Sequence, residues 1–142
     1  MATPEPHRTA LLVVDVQNDN TTTAGMRARH GQDVAAIESM VVPRLQRLIA
    51  AGRRAGVMIA YFRNTQRRNG RGGSPDRTSR WRAWAGDEAD TYSLEGTWGH
   101  EIVPSLAPTN GDLVIDKDRP SAFHATPLDL ILRSGGIDAV VV

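Results

Sequence analysis

Two charged residues, Asp15 and Lys117, each follow a short apolar run that is typical of a buried strand. The run ALLVV leads to Asp15, and DLVID at 112–116 leads to Lys117. An aspartate beside a lysine in a partly desolvated pocket stabilises both charges. Such a pair either fixes the packing of two strand ends or takes part in catalysis. Catalysis also needs a third group, such as a nucleophile whose proton the aspartate accepts, and the chain contains no cysteine.

Lys117 is the single lysine of a chain whose other sixteen basic residues are arginines. Arginine could not supply the compact, tunable charge of an ammonium group, which favours a functional role for this residue. Chance alone also accounts for one lysine, so its position after a predicted strand carries more weight than its rarity.

The order of predicted elements is that of a parallel sheet covered by helices. Apolar runs predict strands at about 10–14, 57–62, 112–116 and 137–142, and helical spacing predicts helices at about 42–55 and 127–134. Residues 64–95 show little periodicity and are predicted to form mainly a loop. The alternation favours one α/β domain, residues 1–142, with helices on both faces of the sheet. Because sites in such sheets form at the carboxyl ends of strands, Asp15 and Lys117 share a crevice if their strands are neighbours.

Composition and charge argue against several classes of function. A net charge of +1 does not favour a nucleic-acid surface, and no apolar stretch is long enough to span a membrane. The N-terminal MATPEPHR does not resemble a secretory signal, and the absence of cysteine fits a reducing compartment. We therefore expect a cytoplasmic protein.

Seven arginines lie between Arg63 and Arg82, in a stretch that is also rich in glycine. Three interpretations stay open, namely a solvated loop, a lid that attracts anions, and a nucleic-acid patch. The lid interpretation predicts a carboxylate-bearing substrate that contacts Arg80 or Arg82.

Three segments resemble the isochorismatase-like cysteine hydrolase superfamily in order and spacing. They are TALLVVDVQND at 9–19, GTWGHEIVPSLAP at 96–108 and DLVIDKDRPSAFHATPLDLILRSGGIDAVVV at 112–142. The resemblance implies a Rossmann-like three-layer fold and an Asp, Lys, Cys triad in which Asp15 and Lys117 are the first two members. The family's cysteine follows the last strand, in a turn resembling T-G-x-x-T-x-x-C, so we expect it beyond residue 142. The chain is therefore interpreted as one domain lacking its C-terminal strands and helices; the alternative is a short natural protein completed by another chain.

The motif VDVQND resembles the amide-cleaving branch of this superfamily, which includes N-carbamoylsarcosine amidases and ureidoacrylate amidohydrolases. It implies hydrolysis of a C–N bond in a small amide, carbamoyl or ureido substrate. A vinyl ether hydrolase of the isochorismatase type and an inactive scaffold or subunit stay open as alternatives. The 142 residues alone are expected to be inactive, and the superfamily implies a homo-oligomer.

The expected substrate contacts include Asn64, which resembles a substrate-contacting residue of ureidoacrylate amidohydrolase-like members. The other expected contacts are Gln17, Trp98 and Phe123. Nicotinamidases of the superfamily bind a metal through Asp and His just beyond the second strand, where this chain has YFRNTQRRNG. We therefore expect no metal and no cofactor.

Overall fold

Four parallel strands form one sheet in the structure, a computed structural model that describes residues 4–142. The first three residues of MATPEPHR lie outside the described residues. The strands are β1 (Thr9–Val14), β2 (Met58–Asn64), β3 (Leu113–Lys117) and β4 (Ala139–Val141), in the spatial order β3-β2-β1-β4. The α-helices are α1 (Asn18–Thr21), α2 (Met26–Arg29), α3 (Val42–Ala55), α4 (Pro75–Ala85) and α5 (Leu128–Ser134). Short 3-10 helices span Pro6–Arg8, Gly86–Thr91, Trp98–His100 and Pro104–Leu106, and a π-helical turn spans Ile37–Val41.

Alternate residues of the central strands pack on opposite faces of the sheet. Leu11 of β1 belongs to an apolar cluster that includes Ile49 of α3. Its neighbour Leu12 belongs to a second cluster with Leu128 of α5. A strand that is buried on both sides must be apolar at nearly every position, which explains the continuous run in β1. The predicted α/β fold with helices on both faces is confirmed.

The helix predicted at 42–55 is confirmed as α3, with Pro43 in its first turn. The π-helical turn Ile37–Val41 leads directly into α3, so Pro43 follows a point where regular i to i+4 hydrogen bonding is already interrupted. Gly56 ends the helix at a φ of +80°, a left-handed value that glycine adopts without steric cost. No helix of the described chain, α3 included, is long and apolar enough to cross a membrane.

The prediction of a loop over residues 64–95 is wrong for its second half. Helix α4 occupies Pro75–Ala85, and a 3-10 helix continues to Thr91. The Ser74 hydroxyl caps α4 by accepting a hydrogen bond from the Arg77 backbone N–H at 3.2 Å. Polar residues cover most of this helix, so its apolar periodicity is weak, and the start signal Ser-Pro-Asp at 74–76 was the better guide.

Ser74→Ala is expected to destabilise the fold by about 1 kcal/mol, because it leaves a helix-terminal N–H without its acceptor. Urea unfolding followed by circular dichroism measures this change. Ser79→Ala is the matched control, since Ser79 is exposed on the same helix and caps nothing. Equal midpoints for the two variants would show that the Ser74 cap does not stabilise α4.

Candidate active site

Lys117 and Asp15 form an ion pair at the carboxyl end of the sheet. The Lys117 ammonium nitrogen lies 3.1 Å from Oδ1 and 3.2 Å from Oδ2 of Asp15. It also donates to the carbonyl oxygen of Arg119 at 3.4 Å. The Lys117 side chain is 2% exposed, whereas the Asp15 side chain is 39% exposed. The lysine is therefore a fixed internal charge, and the aspartate is the member of the pair that a ligand can reach.

The strands that carry this pair are not neighbours. β2 lies between β1 and β3, so Asp15 and Lys117 meet although the strands before them are not adjacent, the condition under which they were predicted to share a crevice. Two strands with one strand between them are about 10 Å apart. The long Lys117 side chain extends across the end of β2 and so reaches the Asp15 carboxylate. Asn64 is the last residue of β2 and pairs in register with Lys117. The central strand end thus carries a polar side chain between the two charges.

Asp15 ends its strand in an uncommon backbone conformation. Its φ is +59°, a left-handed value that aspartate tolerates better than most residues with a side chain. The Asn20 side-chain amide donates to the Asp15 carbonyl oxygen at 2.9 Å, and the Tyr92 hydroxyl donates to the Asn20 side-chain oxygen. Burial raises the pKa of Tyr92 to about 12, so this hydroxyl keeps its proton and its donor role near neutral pH. The relay of hydrogen bonds holds Asp15 in this conformation.

Gln17 anchors the end of β2 instead of facing a ligand. Its side chain is fully buried, and its amide donates to the carbonyl oxygens of Asn64 at 2.9 Å and His100 at 3.0 Å. The side-chain oxygen of Gln17 accepts from the Asn64 backbone N–H at 2.7 Å. The predicted substrate contact of Gln17 is therefore corrected to a positioning role, because turning toward a ligand would leave buried backbone groups unpaired.

A cavity of about 210 Å³ lies beside the ion pair. It is lined by Asp15, Asn20, Arg27, Asn64, Arg77, Trp81, Tyr92, Lys117 and Pro120. The structure thus brings together three of the residues predicted for the site, Asp15, Asn64 and Lys117. Trp98 and Phe123 are each 49% exposed and do not belong to this lining. Their contact with a substrate stays a prediction.

Helix α4 and the segment after it form one side of this cavity, which the prediction of a loop over residues 64–95 did not indicate. Arg77 and Trp81 lie one turn apart on α4, and the Arg77 guanidinium carbon lies 4.4 Å from the centre of the Trp81 ring. The Trp81 ring meets the Tyr92 ring edge to face at 4.9 Å. Four-residue spacing places two side chains on one helix face, so recognising the helix would have grouped Arg77 with Trp81.

Most arginines of the 63–82 stretch pair with carboxylates of the same chain. The partners are Asp116 for Arg63, Asp118 for Arg67, Asp76 for Arg80 and Asp90 for Arg82. Internal pairing reduces the positive charge available to phosphates, which removes the main support for a nucleic-acid patch. Arg80 pairs with exposed Asp76 and lies outside the cavity lining, so it does not supply the predicted anion contact there.

Other titratable groups near the pair have structural partners. Burial alone would raise the pKa of Asp116, but contacts with His100 and Arg63 lower it well below the usual range for a carboxyl. His100 is 3% exposed, and its Nε2 lies 2.9 Å from the Thr65 hydroxyl oxygen. Asp15 is therefore the better candidate for proton transfer. Within residues 4–142, no three His, Cys, Asp or Glu side chains are grouped as a metal ion would require.

Comparison with known proteins relates the whole described chain to one family. A family model described as the isochorismatase domain matches residues 9–142. The chain is 36% identical over 149 residues to the ureidoacrylate amidohydrolase RutB of Methylobacterium radiotolerans, covering 96% of this chain and 56% of that protein. The RutB protein of Enterobacter sp. (strain 638) is 36% identical over 143 residues, with coverages of 93% and 60%. The chain thus spans less than two thirds of the length of these relatives.

Solved structures agree with the sequence matches. A cysteine hydrolase from Pseudomonas syringae pv. phaseolicola superposes with a TM-score of 0.75 at 28% identity, covering 99% of this chain and 63% of that one. The N-carbamoylsarcosine amidase of Thermoplasma acidophilum superposes with a TM-score of 0.65 at 30% identity, covering 94% and 65%. Both similarities extend over nearly all of the sheet and the helices described above.

Proposed function

The chain belongs to the isochorismatase family, and from that premise we propose that the protein hydrolyses a C–N bond in a small amide, carbamoyl or ureido substrate. The observation that carries this proposal is the Asp15–Lys117 ion pair beside a cavity of substrate size. A buried ammonium holding a partly exposed carboxylate is suited to accept and return a proton at a fixed place. Relatives described as ureidoacrylate amidohydrolase and N-carbamoylsarcosine amidase favour amide and ureide chemistry over cleavage of a vinyl ether.

In the proposed mechanism, Asp15 is the general base of an Asp, Lys, Cys triad. It accepts the proton of a thiol, the sulfur attacks the carbonyl carbon, and the amine leaves as it takes up that proton. Water then hydrolyses the thioester, with Asp15 accepting a proton from the water and returning it to the sulfur. These 142 residues contain no cysteine, so the proposed mechanism requires a thiol that they do not supply.

The local geometry supports these roles. The Asp15 Oδ1 atom is buried and accepts no hydrogen bond of good geometry, although the ammonium nitrogen lies 3.1 Å away. The Asp15 side chain as a whole is 39% exposed, so the carboxylate can accept an incoming proton from the cavity side. Because the Lys117 ammonium is buried, its charge stays beside Asp15. It stabilises the ionised carboxylate before attack and the charge that develops afterward. Asn64, on the strand end between them, offers an amide to a polar group of the substrate.

The full-length gene product is expected to release an amine and carbamate, which decomposes to carbon dioxide and ammonia, from 3-ureidopropionate or N-carbamoylsarcosine, and to leave isochorismate intact. A coupled ammonia assay and chromatography of the amine measure the reaction. Rapid quenching followed by mass spectrometry is expected to show a carbamoyl group on a cysteine. Cleavage of isochorismate without cleavage of any amide or ureide would contradict the proposal and favour a vinyl ether hydrolase. No turnover of either class would instead favour a scaffold or subunit.

A further inference from the structure

Arg77 is a buried cation of the site that has no carboxylate partner among residues 4–142. The residue is 8% exposed, although it lies on a helix whose other arginines are exposed. One guanidinium nitrogen, Nη2, donates to the Thr65 carbonyl oxygen at 3.3 Å. The Nε atom is buried and has no hydrogen-bond partner in the described part of the chain. Arg77 therefore keeps a free donor inside the protein.

Leaving this donor and charge unpaired is energetically unfavourable. A buried charge is destabilising unless a counter-charge and hydrogen bonds offset the loss of its hydration. Burial indeed lowers the pKa of Arg77, against the opposing influence of the negative charges of Asp118 and Asp15. By contrast, Arg80 and Arg82 on the same helix each form an ion pair in exposed positions. A ligand that carried its own negative charge would remove the cost at Arg77.

The place of Arg77 connects the reaction site with a second, larger cavity. Arg77 and Trp81 line both the 210 Å³ cavity beside Asp15 and a neighbouring cavity of about 480 Å³. The larger cavity is also lined by Arg67 and Arg82, which pair with carboxylates, by Asp90, and by Arg68 and Arg71, which form no salt bridge within residues 4–142. A recess lined by several cations attracts anions from solution and raises their local concentration. An anion that enters it meets the Arg77 guanidinium at the boundary with the reaction site.

We propose that Arg77 is a specificity-determining residue that binds a carboxylate of the substrate while the scissile carbonyl lies beside Asp15. This inference rests on the proposed function and narrows its substrates to ureido or carbamoyl acids. The Arg77 guanidinium carbon lies 4.4 Å from the centre of the Trp81 ring, a contact that restricts the movement of the guanidinium, whose planar fork of donors matches a carboxylate. The residue selects by charge and takes no part in bond making or breaking.

Arg77→Gln is expected to lower kcat/KM for 3-ureidopropionate by about 100-fold, mostly through KM, and to lower kcat/KM for propylurea far less. Propylurea has the same ureido group and no carboxylate, so it separates charge recognition from damage to the catalytic pair. Arg77→Lys keeps the charge without the planar fork and is expected to give an intermediate value. Arg80→Gln is the matched control on the same helix and is expected to behave as the unmodified protein. Circular dichroism checks that each variant is folded.

A binding measurement separates failure of this inference from failure of the proposed function. Titration with propionate, read by tryptophan fluorescence, is expected to saturate in the unmodified protein and in Arg80→Gln, and to weaken by about 100-fold in Arg77→Gln. This dependence on Arg77 would support the anion site even if no ureide were hydrolysed. Absence of propionate binding would overturn the inference. Equal losses for 3-ureidopropionate and propylurea in both Arg77 variants would also overturn it, while leaving ureide hydrolysis in place.

Discussion

Asp15→Asn is expected to lower kcat for ureide hydrolysis by about 10²- to 10⁴-fold, with little change in KM. Asparagine has nearly the same shape and keeps an oxygen that can accept from the Lys117 ammonium. It cannot take up the proton of the attacking thiol, so the loss falls on the chemical step. Steady-state kinetics of the full-length gene product with 3-ureidopropionate measure the effect, and thermal unfolding checks the fold.

Two further variants sharpen this experiment. Lys117→Met places an apolar side chain of similar length in the buried lysine site and is expected to lower kcat comparably, because it removes the charge that holds the Asp15 carboxylate. Asp118→Asn is the control, since Asp118 pairs with Arg67 and does not line the cavity beside Asp15. Retained activity in Asp15→Asn would exclude Asp15 as the base. A comparable loss in Asp118→Asn would indicate a general effect of charge on the site.

The elements that could be predicted from the sequence are those that produce a pattern within a single segment. The apolar run before Asp15 and the helical spacing over 42–55 each arise within one element, because burial demands apolar side chains at fixed intervals. Asp15 and Lys117 were found for the same reason, since each ends such a run. Their meeting required only that both strands end at the same edge of the sheet, and not that the two strands be adjacent.

The features that the sequence did not predict depend on contacts between segments that are distant in the chain. Gln17 was expected to contact a substrate because it follows Asp15, but its partners on Asn64 lie 47 residues away in the chain. Arg77 was grouped with six other arginines of a polar stretch, and its burial depends on the packing of α4 near Thr65, which lies 12 residues earlier in the chain. No local pattern distinguishes a buried arginine from an exposed one, because both occur on a polar helix.

Gly99→Ala is expected to destabilise the protein by about 3 kcal/mol or more, since the added Cβ collides with the buried, hydrogen-bonded carboxylate of Asp19. A Cβ at position 99 would lie 2.2 Å from Oδ2 and 2.6 Å from Oδ1 of Asp19. The carboxylate cannot move aside freely, because it is 4% exposed and accepts two backbone hydrogen bonds. Oδ1 accepts from Met26 at 3.1 Å, and Oδ2 accepts from Ser93 at 2.8 Å. Tyr92, which lines the cavity, directly precedes Ser93, so displacement of Asp19 is also expected to disturb the site.

Chemical denaturation of paired variants tests this explanation of Gly99. Gly111→Ala is the matched control, because a Cβ at position 111 meets no atom within 4 Å. Asp19→Ala removes the atoms that a Cβ at position 99 would meet, so adding Gly99→Ala to it is expected to cost far less than in the unmodified protein. Such non-additivity identifies the carboxylate as the source of the conflict. If Gly99→Ala lowers the free energy of unfolding equally with and without the Asp19 carboxylate, the destabilisation does not arise from a collision with Asp19.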